Sequence, residues 1–377
     1  MEYIEIIKTG LLVFPFLAFL FTMPYALYQY HKYGSVSKFR TLIIYSFILY
    51  MLIAYFMVIL PLPSRESTIG NRWQDHLNLI PFRQVYLYWR NKEINLTTIG
   101  RYLQSFSLWQ QLFNILMTVP FGIYLRYYFK QSLRRTIRYS FLLSLFYELT
   151  QLSALYGIYP GPYRLADVED LICNTLGGAC GYWIAYVFMK ILPKREEIDV
   201  RCREAGKKVT GKRRVWAALF DYLFCLVLFL VEQGLEMLFM TDSPQFMEYG
   251  WKYFWSVFCV VELLQVLLTN GITLGHAICR MVLVSQDGSP ASKGRLIKRY
   301  VILWMFTDLP LIIASWLSES QFAFINDYMI LILMVLSKLY FVVYFINEVF
   351  RRGAVPMPHD TLSKTVYMAT EIPEQKG

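Results

Sequence analysis

Apolar runs of about twenty residues recur along the chain between shorter polar connections. That length is what an α-helix needs to cross the hydrocarbon of a bilayer. About nine such runs can be drawn, at roughly 10–30, 40–60, 107–128, 138–156, 166–191, 214–240, 252–270, 300–317 and 327–349. They predict an all-α, polytopic integral membrane protein, with about nine transmembrane helices in two helical domains. The runs are continuous, not alternating, which excludes a transmembrane β-barrel. The chain is 56% hydrophobic and 17% charged, against about 45–50% and about 25% in a soluble domain. A soluble globular enzyme is therefore excluded, and an 18% aromatic content excludes a disordered chain.

The net charge of +10 sits in the connections, where Lys and Arg set topology and meet anionic headgroups. Membrane lipid is thus an expected partner. Nucleic acid is not, because no basic stripe with interleaved stacking aromatics lies outside the runs. Lys32 and Lys38, Lys130 to Arg135, the cluster from Lys194 to Arg213, Arg280 to Arg299, and Arg351 with Arg352 all fall on one side if the N-terminus is outside. The expected placement is a multi-pass cell-membrane protein, N-terminus outside and C-terminus cytoplasmic. The 61–106 connection dissents with Arg65, Arg72, Arg83, Arg90, Lys92 and Arg101; its length leaves room for partial re-entry into the bilayer. Glu2 and Glu5 precede a long first run, which reads as a retained span and not a cleaved signal. The expected domains are 1–192, a basic cytoplasmic linker at 193–212, a second membrane domain at 213–368, and a tail at 369–377.

The six cysteines and four histidines include no C-x-x-C and no H-E-x-x-H, so neither a metal nor another cofactor is expected. Ionisable groups inside a membrane run are costly and carry more information. In the fifth run Asp167, Asp170, Asn174, Gly177 and Gly181 are spaced 3, 4, 3 and 4 apart. That spacing defines one helix face, polar at its start and smooth further on, and Gly177-x-x-x-Gly181 admits a close neighbour. The fourth run carries Ser144, Glu148 and Gln151 on a second stripe, and the third carries Asn114 ahead of Pro120 and Gly122. Three readings stay open: a buried network that fixes helix register, a site at the outer face for a polar headgroup or ion, and acid–base chemistry by Glu148 with Asp167 or Asp170. Arg164 and Arg83 would pair either with a lipid phosphate or with the aspartates.

Asn78-Leu-Ile-Pro81-Phe82, Asn114 with Pro120-Phe-Gly122, Glu148-Leu-Thr-Gln151, and Arg164-x-x-Asp167-x-x-Asp170-x-x-x-Asn174-Thr-Leu-Gly177 stand in this order. Together they resemble the VanZ-like family over about 40–190. The family is named for a bacterial accessory factor in resistance to the glycopeptide teicoplanin. The resemblance implies a cell-envelope role, with a cell-wall precursor, lipid headgroup or glycopeptide as ligand and Asn78, Asn114, Glu148, Gln151, Arg164, Asp167, Asp170 and Asn174 as the polar cluster.

In the second half, Arg214 and Asp221 lie seven residues apart at the start of the sixth run. A Gly271-Ile-Thr-Leu-Gly275-His276 loop follows the seventh, Lys293 to Arg299 lead into the eighth as an amphipathic stretch, and the tail carries His359-Asp360 with Thr365. These residues resemble the RDD family over about 212–368, with Arg214, Asp221, His359 and Asp360 as the motif and Asp308 as a rival second aspartate. His276 stands where the family often has lysine. Lys338 would stay charged only by snorkelling or with a carboxylate partner, which Glu262 or Asp308 could supply. His359 and Asp360 read either as a tail-docking pair or as a proton relay. The leading functional reading is a non-enzymatic envelope factor. The alternatives are an ion- or proton-coupled transporter acting through the second half, and an enzyme modifying a lipid-linked envelope substrate.

Overall fold

The structure is a computed structural model that describes residues 2–90, 106–239, 246–307, 309, 312–313, 323–350 and 356–371. It forms two compact units, Met1–Phe21 with Lys38–Ile198, and Thr22–Ser37 with Asp199–Gly377. Helices form where the apolar runs lie. Among the described residues four, Ile4–Tyr33, Lys38–Ile59, Val168–Ile191 and Gly211–Glu232, are long and apolar enough to cross a membrane by length and composition. Phe16, Phe19 and Leu20 of the first are more than 70% exposed. That would be an aggregation hazard in water and is ordinary in hydrocarbon.

The first unit takes part of α1 (Glu2–Tyr33) together with α2 (Lys38–Ile59), β1 (Leu77–Asn78), α3 (Arg83–Arg90), α4 (Phe106–Tyr127), α5 (Leu133–Leu152), β2 (Ala166–Asp167) and α6 (Val168–Ile191). The glycine face of α6 decides the packing. A Cβ at Gly177 would strike the Ile115 carbonyl, one at Gly181 the Val119 carbonyl, and one at Gly178 the Ser140 hydroxyl. The α4 and α6 backbones therefore touch, as a small-residue stripe allows. The long 61–106 connection holds two 3₁₀ turns and then β1, which pairs in parallel with β2, Asn78 opposite Asp167. Residues 91–105 of it lie outside the described residues.

Three sequence expectations shift here. The fourth span begins at Leu133, five residues earlier than drawn, and ends at Leu152. Ala154, Leu155, Tyr156 and Gly157 after it form a left-handed turn, with φ between 54° and 85°. The basic stretch read as a linker is largely helical: α7 (Arg195–Gly206) buries Ile198 and Cys202.

The second unit contains α8 (Gly211–Phe239), α9 (Phe246–Leu268), α10 (Leu274–Ile278), β3 (Met281–Ser285), α11 (Lys293–Phe306), α12 (Ala323–Val349), α13 (Pro358–Ser363) and β4 (Thr365–Ala369). The eighth span thus starts inside the stretch read as its amphipathic lead-in. Strands β3 and β4 pair antiparallel from Met281 with Ala369 to Ser285 with Thr365. Val266, Leu283, Ala291, Leu296 and Tyr300 make one core cluster, and Ala26, Tyr30, Ala217, Phe220, Cys279 and Met281 make another. Asp308 and the side chain of Lys338 lie outside the described residues, so the proposed Lys338 partnership does too.

Candidate functional site

The polar stripes of the first unit converge at the N-terminus of α6. Asp167 caps that helix, its Oδ1 accepting from the Glu169 amide at 2.8 Å, which satisfies a donor the helix start leaves open. Its two oxygens also accept from Asn78 Nδ2 at 3.0 Å each, so β1 is tied to the cap by its side chain as well as its backbone. Glu148 reaches across from α5: its Oε2 accepts from the Asp167 amide at 2.9 Å. Asp170 Oδ1 accepts from Asn114 Nδ2 at 2.6 Å. Ser144 donates to the Asp170 carbonyl at 3.2 Å and accepts from Asn174 Nδ2 at 2.9 Å.

Helices α4, α5 and α6 each supply part of this network, and the 3-and-4 spacings place the groups on facing stripes. All eight residues singled out from the sequence belong to it or border it. Gln151 and Arg164 turn aside from the acids. Gln151 donates to the Val58 carbonyl at 2.8 Å, and Arg164 donates to Val58 and Leu60 carbonyls at 2.7 and 2.6 Å. The sequence leaves Arg164 either a lipid phosphate or the aspartates as partner; its guanidinium instead anchors the end of α2. Arg83 is exposed, and its backbone amide donates to Glu169 Oε1 at 3.1 Å. Glu169 and Gln111 were not singled out as site residues, although Gln111 donates to Glu169 Oε2 at 2.7 Å. Gln111 could have been found, because it precedes Asn114 by three residues on one helix face.

A cavity of about 380 Å³ opens beside the network. Asn114, Tyr147, Glu148, Arg164, Asp170 and Asn174 are among its walls. Among the described residues, no group of three His, Cys, Asp or Glu side chains is placed to hold a metal ion. The arrangement can therefore accept hydrogen bonds from a polar ligand inside a helical bundle.

The second unit gathers its charges differently. Asp221 accepts from Thr273 Oγ1 at 2.6 Å and from the Gly275 amide at 2.7 Å, holding the start of α10. A Cβ at Gly275 would strike the Ala217 carbonyl, so the loop needs its glycine. Arg214 pairs with Glu348 at 3.1 Å and stands 3.7 Å from Asp360. Arg299 holds Asp360 at 2.7 Å and Thr365 Oγ1 at 3.0 Å. The Tyr367 ring lies close to both guanidinium groups, 4.9 Å from Arg214 and 4.8 Å from Arg299, within cation–π range. Burial pushes the Asp360 carboxyl up, but the charges of Arg299 and Arg214 prevail and hold it below the usual range. His359 Nδ1 meets Tyr340 Oη at 2.9 Å. Burial first, then Arg299, pushes the His359 and His276 rings down to about 3.

Arg214 and Asp221 thus share a helix without pairing. Arg213, Arg299, Glu348 and Tyr367 were missed as site residues. Arg213 is wholly buried, donating to the Cys279 carbonyl at 2.5 Å and the Gly206 carbonyl at 2.6 Å. A cavity of about 420 Å³ adjoins this set, with Asp221, Glu262 and His276 in its wall beside Arg214 and Arg299.

Residues 47–189 match the family model described as VanZ/LLP1, and residues 210–364 match that of the RDD family. Both fall in the order, and close to the extents, carried by the motifs. No curated protein and no solved structure matches the chain. The chain is a membrane-embedded protein of the cell envelope, with a VanZ-like segment followed by an RDD segment.

Proposed function

We propose that the VanZ-like segment is a binding device that holds a cell-wall precursor, lipid headgroup or glycopeptide at the outer face of the membrane. The observation that carries this reading is the cavity bordered by Glu148, Asp170 and Asn174. Polar groups in oil are expensive unless partnered, and here they border a space large enough for a headgroup. Glu148→Gln and Asp170→Asn are expected to lower glycopeptide tolerance at unchanged expression. Full tolerance in both variants rejects the proposal. The outward orientation is tested by cysteine labelling at two exposed positions: Asp75→Cys should react from outside the cell and Ala205→Cys only after permeabilisation.

A second reading, ion- or proton-coupled transport through the RDD segment, is favoured by the cavity that Asp221, Glu262 and His276 border. Flux into proteoliposomes under an imposed gradient supports it, and no flux under any gradient removes it.

A further inference from the structure

The polar cavity of the first unit is selective in what it leaves unpaired. The Ser144 hydroxyl has one hydrogen, and it goes to the Asp170 carbonyl. Asn174 must then donate to Ser144, and its Oδ1 is left without a partner although the residue is only 3% exposed. Glu148 uses Oε2 on the Asp167 amide and Asp170 uses Oδ1 on Asn114; among the described residues the other oxygen of each carboxylate has no hydrogen bond. Tyr147, 1% exposed, borders the same cavity with its hydroxyl unpartnered. A buried polar atom without a partner is costly, so a ligand that supplies the missing hydrogens is strongly favoured. The unmet demand is almost wholly for donors. A primary ammonium provides three N–H donors and a positive charge, and it offsets the mutual repulsion of neighbouring carboxylates.

Two further features extend the match beyond the ammonium. Arg164, in the same wall, spends two of its five N–H donors on carbonyls, which leaves hydrogens for a phosphate. Tyr147 also borders a second cavity of about 470 Å³, whose other walls include Phe47, Met51, Leu143 and Phe146. That space is apolar throughout and accommodates a hydrocarbon chain. Resting on the reading that this cavity holds a ligand, we propose that the ligand is a membrane amphiphile with a primary-ammonium headgroup. The ammonium sits among Glu148, Asp170 and Asn174, and the chain lies on the far side of Tyr147.

The test uses the full-length protein reconstituted in nanodiscs of equal phosphatidylethanolamine, phosphatidylcholine and phosphatidylglycerol, with retained lipid measured by native mass spectrometry. Phosphatidylcholine shares the phosphate and chains but has no N–H donor. The expected result is a phosphatidylethanolamine excess of about tenfold over phosphatidylcholine, the scale of one charge-assisted hydrogen bond. Glu148→Gln and Asp170→Asn should each reduce that excess several-fold. Equal retention of the two lipids by the wild-type protein, or preference for phosphatidylglycerol, overturns the proposal without relying on any variant. Displacement of the lipid by free ethanolamine at matched concentration assigns the cavity to a soluble amine and overturns the lipid-borne part. If the two lipids bind equally while both variants still lose glycopeptide tolerance, the cavity is a site for another ligand class. If tolerance is untouched, the binding reading itself fails.

Discussion

The two units differ in how they bury most of their carboxylates, although Asp221 of the second is served by a hydroxyl and an amide much as those of the first are. In the RDD segment, Asp360 and Glu348 meet arginines, and Tyr367 lies against both guanidinium groups. In the VanZ-like segment, the carboxylates of Glu148, Asp167, Glu169 and Asp170 meet amides. Arg164, the cation beside them, is bonded to carbonyls. Opposite charges that face one another hold a structure together and leave little for an outsider. Acceptors served by neutral donors keep a demand that a ligand can meet. The comparison teaches that a buried charge is a better pointer to a site when its countercharge is bonded elsewhere than when the two are bonded to each other.

The sharpest way to break that contrast is to remove a cation from the paired cluster. Arg299→Met leaves Asp360 buried with only the more distant Arg214, and is expected to destabilise the second unit by about 3–5 kcal/mol, read by thermal unfolding in detergent. Asp170→Asn, which keeps its bond to Asn114, should cost under about 1 kcal/mol. Equal losses would erase the distinction. Within the first unit, Gly181→Ala drives a methyl into the Val119 carbonyl and should cost about 1–3 kcal/mol. It thereby separates helix packing from the polar network, and a neutral result would show that α4 and α6 have room to part.

Acid titration sharpens the comparison further. His276 and His359 have depressed folded values of about 3, so the unfolded chain binds more protons below about pH 6.5. The stability they support is complete above that pH and is lost as pH falls toward 3. Unfolding of the second unit should ease by roughly 1–2 kcal/mol per ring between pH 7 and pH 5, and His276→Gln should remove its share. The smallest expected effect is Tyr147→Phe. It deletes a hydroxyl that has no partner, so stability should move by no more than about 0.5 kcal/mol while retention of the amine lipid falls.

Hydropathy made the spans legible, since crossing helices must satisfy their own backbones and so advertise their length. It blurred the ends. The α5 and α11 helices begin in basic residues, Arg134 with Arg135 and Lys293 with Arg295, which count as loop by composition yet helix by propensity. The strands were invisible: β1 and β2 have two residues each, and β3 pairs with a β4 that lies beyond two further membrane runs in the sequence. The polar cluster of the first unit was legible because acids in oil at helical spacing have few explanations. Arg213 and Arg299 were hidden because arginines at span ends also set topology. Only tertiary contact shows that they are buried. Glu348 was hidden in the same way, at the close of the last apolar run.

The Arg214–Glu348 bond joins residues 134 positions apart, and this has a consequence for biogenesis. At about 5–20 residues per second of translation, the arginine leaves the ribosome on the order of ten seconds before its counterion exists. An insertion machinery handling this polypeptide must keep an orphan guanidinium out of the lipid interior until α12 arrives, and release the bundle only afterwards.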